Sequence, residues 1–424
     1  MKTITHPTSQ RIHKACFLSL LSSSPLLATC LGVAFLLITL GPVPLSGQTN
    51  YQQKIQGKVL AGDTGQPLAF AHISVGGNEV GTLCNETGQF VLKIPSRLRQ
   101  DSLHITYLGY SPQTIAIASL QAKPITIRLK VQDLTLQTID IPSIDPRDTV
   151  RKAWRKRGKN YETRATLLRG FYREEMEDEG LNIQFLFAEG VLELFKSPYH
   201  LNSSMRMRDR VRVLKGRQKN LPNAYEVKGR EYLLPQITQG PHLGLLLDIV
   251  KEEKSFVRRS NQSSYLYEFI EVQYLDNRLT YVFSFFPKNP SNSYAHFQGK
   301  FFVDIESLAF VRAEYELTEA GIQLYNKTAD KLLLDKRTFE INYMQYQERW
   351  YVRDARVINQ FYYPEIDRPL SSIHTFLTTD IINERVSDFP TGEELHLEEA
   401  FVEEVEILDE QFWEDYNVVP VDRQ

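Results

Sequence analysis

Four groups of residues in this chain have types and spacings that could do chemistry. His396-Leu397-Glu398-Glu399 has the His-x-x-Glu spacing that offers zinc a nitrogen and an oxygen. A zinc site needs a third ligand, and no His follows His396 in the 28 remaining residues. Nine His and 52 Asp+Glu in 424 residues also make about one His-x-x-acid spacing by chance, so no zinc is expected. Glu174-Glu175-Met176-Glu177-Asp178-Glu179 offers the hard oxygen ligands that calcium takes. A run of like charges reads better as the solvated tip of a hairpin. Glu174 or Glu189 could also serve a hydrolase of unrecognised type if it faced a second carboxylate across a pocket. Arg206, Arg208, Arg210 and Arg212 occupy alternate positions, with Met207, Val211 and Val213 between or beside them. On a strand, all four guanidinium groups would project one way. They are the candidate anion-binding residues, because Arg grips phosphate or carboxylate bidentately. The alternative is a sheet face set against acidic strands. No nucleophile–base order, phosphate loop, HExxH or CxxC is present. No catalytic residue, metal ligand or cofactor is therefore assigned.

The elements that must position these groups read as mainly β. Tyr (21) and Phe (23) dominate an aromatic fraction of 11%, and flat rings favour pleated surfaces. The formal net charge of -3 argues against nucleic-acid binding. Residues 1–47 carry Lys2, Arg11 and Lys14, an uncharged stretch from Ala15 to Leu40, and the breakers Gly41, Pro42 and Pro44. That order predicts a secretory signal cleaved after Gly47. A retained anchor is the alternative, since the stretch is long enough to span a bilayer. Cleavage takes the net charge from -3 to -6 and leaves Cys84 as the lone Cys. No internal disulfide is then possible, and Cys84 is expected to be buried.

Between residues 52 and 132, short alternating runs are separated by turn chemistry, which predicts a seven-stranded β-sandwich. Residues 133–147 read as a linker. Asp145 caps a helix with Pro146 at its first position, Val150, Ala153 and Trp154 form its apolar stripe, and Gly158 stops it. Residues 148–385 read as a larger antiparallel β-rich domain. Its strands include 185–195, 265–269, 279–285, 299–304, 309–317, 339–343 and 350–357, and a helix is expected over 241–254. Residues 386–424 form an acidic segment; positions 386–422 hold 13 Asp+Glu and no Lys or Arg. Phe401, Val405, Leu408 and Phe412 are spaced as a helical stripe, so this segment is expected to dock on the body near the arginine strand.

Gly57-Lys58-Val59, Gly65-Gln66-Pro67-Leu68, Gly81-Thr82, Asn85-Glu86-Thr87-Gly88-Gln89-Phe90 and Leu108-Gly109-Tyr110 follow one another in an order that resembles the carboxypeptidase-like regulatory domain. The resemblance implies a transthyretin-like sandwich, common in exported proteins of Bacteroidota and also found before outer-membrane transporters. It implies no peptidase, because the distal His is missing. Gly170-Phe171-Tyr172-Arg173-Glu174, Phe187-Ala188-Glu189-Gly190-Val191 and Gly299-Lys300-Phe301-Phe302-Val303-Asp304 more loosely resemble exported proteins that carry that domain at the front. The order of glycine, strand, Asp, turn and strand also looks like lipoprotein-carrier half-barrels.

The expected function is thus a non-enzymatic cell-envelope protein, in the periplasm or at the outer membrane. It is expected to bind a protein partner, glycan or lipid, with no nucleic acid and no integral span after cleavage. The rivals are a lipid carrier, which requires an apolar cavity in the large sheet, and an envelope hydrolase.

Overall fold

The computed structural model describes residues 51–421 apart from 121–122, 133–143, 200–207, 220, 222–223, 228–229, 234–239, 291–294, 330, 391, 408–412 and 414–415. The expected signal, most of the expected linker and Arg206 lie outside the described residues.

The first module has seven strands: β1 (Tyr51–Ala61), β2 (His72–Val75), β3 (Val80–Leu83), β4 (Gln89–Pro95), β5 (Ser102–Thr106), β6 (Gln113–Ala116) and β7 (Ile125–Leu129). β1 pairs antiparallel with β4 and parallel with β7. The second layer runs β3-β2-β5-β6. Alternation sends Ile55, Val59, Phe90, Leu92, Ile94, Ile73, Leu103 and Ile105 into one shared core. Each such side chain is worth about 1.5–3 kcal/mol of burial. The turn before β4 needs its glycine. Gly88 has φ +78°, and a Cβ there would meet the Val59 carbonyl oxygen at 2.6 Å. Asn85 completes that turn by accepting from the Gln89 N–H at 2.7 Å. Cys84 is buried in this core, and burial pushes its thiol pKa up, so it is a packing residue.

The chain then forms α1 (Pro146–Arg155), capped by Asp145, whose carboxylate accepts from the Asp148 N–H. Val150, Ala153 and Trp154 are its buried stripe. Gly158 does not stop this helix as expected. α1 ends at Arg155, and Gly158 lies inside a further turn, α2 (Arg157–Asn160), without a left-handed φ. The anchor is the next residue, Tyr161, whose hydroxyl donates to the Phe310 carbonyl at 2.6 Å.

The remaining strands are β8 (Thr166–Asp178), β9 (Ile183–Lys196), β10 (Arg210–Gln218), β11 (Ala224–Val227), β12 (Arg230–Leu233), β13 (Tyr265–Leu275), β14 (Arg278–Pro287), β15 (Phe297–Asp304), β16 (Phe310–Leu317), β17 (Leu333–Tyr346), β18 (Arg349–Tyr363), β19 (Arg368–Ile382) and β20 (Glu406–Ile407). Ten of them form one curled antiparallel sheet in the order β13-β14-β15-β16-β17-β18-β19-β8-β9-β10. β13 and β10 are its two ends, and β20 adds to β10 in parallel. β11 and β12 form a separate hairpin. The sheet of the first module joins the large sheet where Val80 pairs with Asp380. Two-residue hairpins at Asp276-Asn277 and Gln347-Glu348 take the positive φ values that tight turns need.

The inner face of the large sheet is covered by α1 and by residues 240–258. The expected helix over 241–254 is not formed. A 3-10 turn at Gly240–His242 leads into α3 (Leu243–Leu246), one turn long, and the chain then changes direction. Asp248 explains the break. Its carboxylate turns into the sheet and accepts from Lys196 Nζ (2.6 Å), Tyr199 (2.6 Å) and Tyr343 (2.9 Å). It also accepts from the Val250 N–H, so a side chain competes with the helix for the backbone. A last helix, α4 (Glu319–Asn326), follows β16.

Candidate functional site

Between residues 240–256 and the inner face of β15–β19 lies a cavity of about 500 Å³. That volume falls in the range of small-molecule sites, about 300–1,000 Å³. Leu243, Leu246, Leu247, Ile249 and Phe256 wall it on the cover side. Phe297, Tyr315, Phe339, Val357 and Phe361 wall it on the sheet side. Polar side chains interrupt the apolar lining on both sides: Arg337, Asn359 and His374 on the sheet, and Glu252, Lys254 and Ser255 on the cover.

Sheet register brings the three on the sheet together and connects them to a buried acid. Arg337 stands opposite Asn359, and Asn359 opposite Ser372, across β17, β18 and β19. His374 is two residues beyond Ser372 and faces Glu174 on β8. Arg337 Nε donates to Asn359 Oδ1, and Asn359 Nδ2 donates to Ser372 Oγ at 2.8 Å. Ser372 lies 3.2 Å from His374 Nε2, and Tyr172 lies 2.9 Å from His374 Nδ1. Tyr172 donates to Glu174 Oε2 at 2.7 Å. A hydroxyl has one proton, so with Tyr172 donating to Glu174 the matching His374 tautomer carries its proton on Nδ1 and accepts from Ser372 at Nε2. The row is then a relay of single donor direction from Arg337 to Glu174.

The relay ends in groups with shifted titration. Glu174 is fully buried, and burial pushes its carboxyl up to about 8. His374 is held down at about 3, by burial first and then by the Arg337 charge. Tyr172 is pushed well above its ordinary value by burial and by the adjacent Glu174. Glu174 is therefore not at a solvated tip, as its acidic run suggested. It alternates with Arg173 and Glu175 on β8, so the strand turns it inward with Tyr172 and Met176. The Tyr172 hydroxyl and the Val402 N–H, both of which favour the ionised form, oppose the effect of burial.

Glu189 serves a structural pairing. It accepts from Arg173 (2.6 Å), Arg217 (2.7 Å) and Trp413 Nε1 (3.1 Å). His396 and Glu399 do not converge on a shared ligand. The Glu399 carboxylate accepts from the His396 backbone N–H at 2.6 Å, closing a turn. Among the described residues, no group of three His, Cys, Asp or Glu is placed to hold a metal ion.

The arginine row divides. Arg206 lies outside the described residues. Arg208 is exposed before β10 and lines a separate cleft of about 1,130 Å³, along with Arg157, Arg210, Arg258 and Arg259. Arg210 pairs with Asp388 (2.7 Å) and Glu394 (3.5 Å). Arg212 pairs with Glu193 (2.7 Å) and with Glu393. Arg210 and Arg212 are thus matched by acids of this same chain, and the acidic segment docks on the arginine strand. The Leu395 N–H also donates to the Val211 carbonyl at 2.8 Å. The expected helical stripe is not what docks. Phe401–Glu404 is a 3-10 turn, and Val405 leads into β20; Leu408 and Phe412 lie outside the described residues. Gln218 Nε2 donates to the Val402 and Val405 carbonyls, drawing the backbone into extended pairing. Facing glycines make the seat. A Cβ on Gly190 would meet Phe401 at 2.7 Å, and one on Gly216 would overlap Val405.

Residues 55–140 match the family model described as a CarboxypepD_reg-like domain. No curated protein matches the chain. Among solved structures, similar chains include one described as an outer membrane lipoprotein-sorting protein domain from Vibrio parahaemolyticus. It has 8% identity and a TM-score of 0.26, covering 57% of this chain and 95% of that one. A DUF1329 family protein from Desulfovibrio piger has 12% identity and a TM-score of 0.25, covering 58% and 96%. A LolA superfamily protein from Nitrosomonas europaea has 13% identity and a TM-score of 0.22, covering 57% and 94%. Among the described residues, no helix is long and apolar enough to cross a membrane.

Proposed function

We propose that this chain is a non-enzymatic carrier of the cell envelope that holds a lipid-like ligand under the 240–256 cover, with the N-terminal sandwich as its docking module. The cavity carries this reading. A largely apolar space of about 500 Å³ on the inner face of a curled sheet, under a cover with one short α-turn, suits an acyl chain. The signal pattern of residues 1–47 supports export, and the match over 55–140 supports the docking role. The exposed Arg208 with Arg157, Arg258 and Arg259 around the larger cleft supports a contact with an anionic envelope component there.

The neutral dye Nile red tests the carrier reading. The full chain should bind it with a blue-shifted emission, and long-chain lipids should displace it. Val357→Phe and Val357→Trp fill the cavity and should reduce binding by about tenfold or more, with circular dichroism unchanged. Equal dye binding in wild type and both variants would place the ligand elsewhere and overturn the reading.

A further inference from the structure

We propose that the cavity selects an amphiphile with an anionic head, a long-chain carboxylate, and that Arg337 binds the head. This rests on the carrier reading and names its ligand class.

Several buried and half-buried arginines elsewhere on the sheet have acids of their own, although Arg356 on β18 lies over the Phe70 ring without an ion pair among the described residues. Arg169 pairs with Glu193 at 2.8 Å, Arg173 with Glu189 at 2.6 Å, and Arg353 with Asp354 at 2.7 Å. Among the described residues, Arg337 has no such acid: burial and Tyr325 alone set its electrostatic balance. Its guanidinium lies 4.6 Å over the Tyr325 ring, and its Nε proton goes to Asn359. Neither neighbour carries charge. Burial lowers the Arg337 pKa, and only Tyr325 opposes that shift. A desolvated cation without a counterion is costly, and here it faces a space large enough to admit one.

The surroundings suit a carboxylate head. Asn359 and Tyr325 hold the fork from two sides, which orients its remaining N–H donors. His374 is neutral and adds no charge, and Lys254 on the cover is a second cation in the lining, which the Arg337 variants leave in place. Glu252, an acid in the lining, does not contribute to the Arg337 balance. Leu243, Leu247, Phe256, Phe339 and Phe361 leave an apolar wall for the tail. A neutral apolar ligand would leave the arginine unpaired, so the head charge decides selectivity.

The test is displacement of Nile red from the full chain by oleate and by oleyl alcohol, which share a tail and differ in the head. Wild type should prefer oleate by about tenfold or more, the worth of a charge-assisted pair. Arg337→Gln and Arg337→Met should abolish the preference and leave oleyl alcohol unchanged. Arg337→Lys should restore part of it. Equal displacement in wild type, or a preference that survives Arg337→Gln, would overturn the anionic-head inference and leave the carrier reading standing. Failure of both ligands to displace the dye would overturn both.

Discussion

Glu174 shows how one residue changes meaning with its face. In the sequence it opens an acidic run, and in the fold it is a buried carboxyl that keeps its proton at neutral pH. Its titration fixes a sign. An unfolded Glu ionises near pH 4.3, whereas folded Glu174 ionises near 8. Between those values the folded chain holds more protons, so this group's contribution to stability falls as pH rises. His374 works the other way at lower pH, because its folded value of about 3 lies below the ordinary one. Its contribution is complete above about pH 6.5. Between about pH 6.5 and 8, Glu174 alone of the two should tilt the stability curve, by at most about 1.4 kcal/mol per pH unit. Glu174→Gln keeps the acceptor for Tyr172 and should flatten that slope in urea unfolding at a series of pH values. An unchanged slope would mean that Glu174 is already ionised in the folded chain.

At the scale of elements, β10 shows how charge segregation is resolved within one chain. Its arginines meet Glu193 and Glu189 on β9 from one side and the acidic segment from the other. The segment is also held by apolar seating, with Phe401 packed edge-on against Tyr172 at 5.0 Å. The outer pairs are partly exposed, with side-chain exposures of 26% for Arg210 and 45% for Asp388. Such a pair is worth about 0.2–1 kcal/mol. Arg210→Asp and Asp388→Arg should each loosen the 386–407 segment to limited proteolysis, and the double reversal should recover part of the loss. Absence of coupling in that cycle would remove the pair from the docking account. Arg210 and Arg212 cannot bind an external anion without displacing these acids, which leaves Arg208 as the freer of the three described members of the row.

At the scale of the whole molecule the large sheet carries a cover, and Asp248 ties the two together. It joins residues 240–258 to β9 through Lys196 and to β17 through Tyr343. Both ion-pair partners are buried, with side-chain exposures of 3% and 0%. Removing one partner leaves the other charge stranded, so Asp248→Ala should destabilise the fold by about 3–5 kcal/mol. Replacing the pair with Leu and Met should recover most of that loss, read as the urea midpoint. Full stability in Asp248→Ala would mean that the cover does not depend on this tie.

Much of this was legible in the sequence. Strand alternation and turn chemistry determined a mainly β chain, a seven-stranded first module and the hairpins of the larger sheet, because period-2 patterning and positive-φ turns are local. The Asp145 cap and the α1 stripe were legible for the same reason. The acidic segment's attraction to the arginine strand was legible as charge complementarity, although its contact geometry was not. The helix expected over 241–254 failed because Asp248 finds its partners on β9 and β17, far away in sequence. The cavity draws on β15–β19 and the Arg337-to-Glu174 relay on β17, β18, β19 and β8, whose register no local pattern encodes. Only the tertiary structure decided that Glu174 points inward and that Arg337 lacks an acid among the described residues, because both depend on what the sheet places opposite each residue.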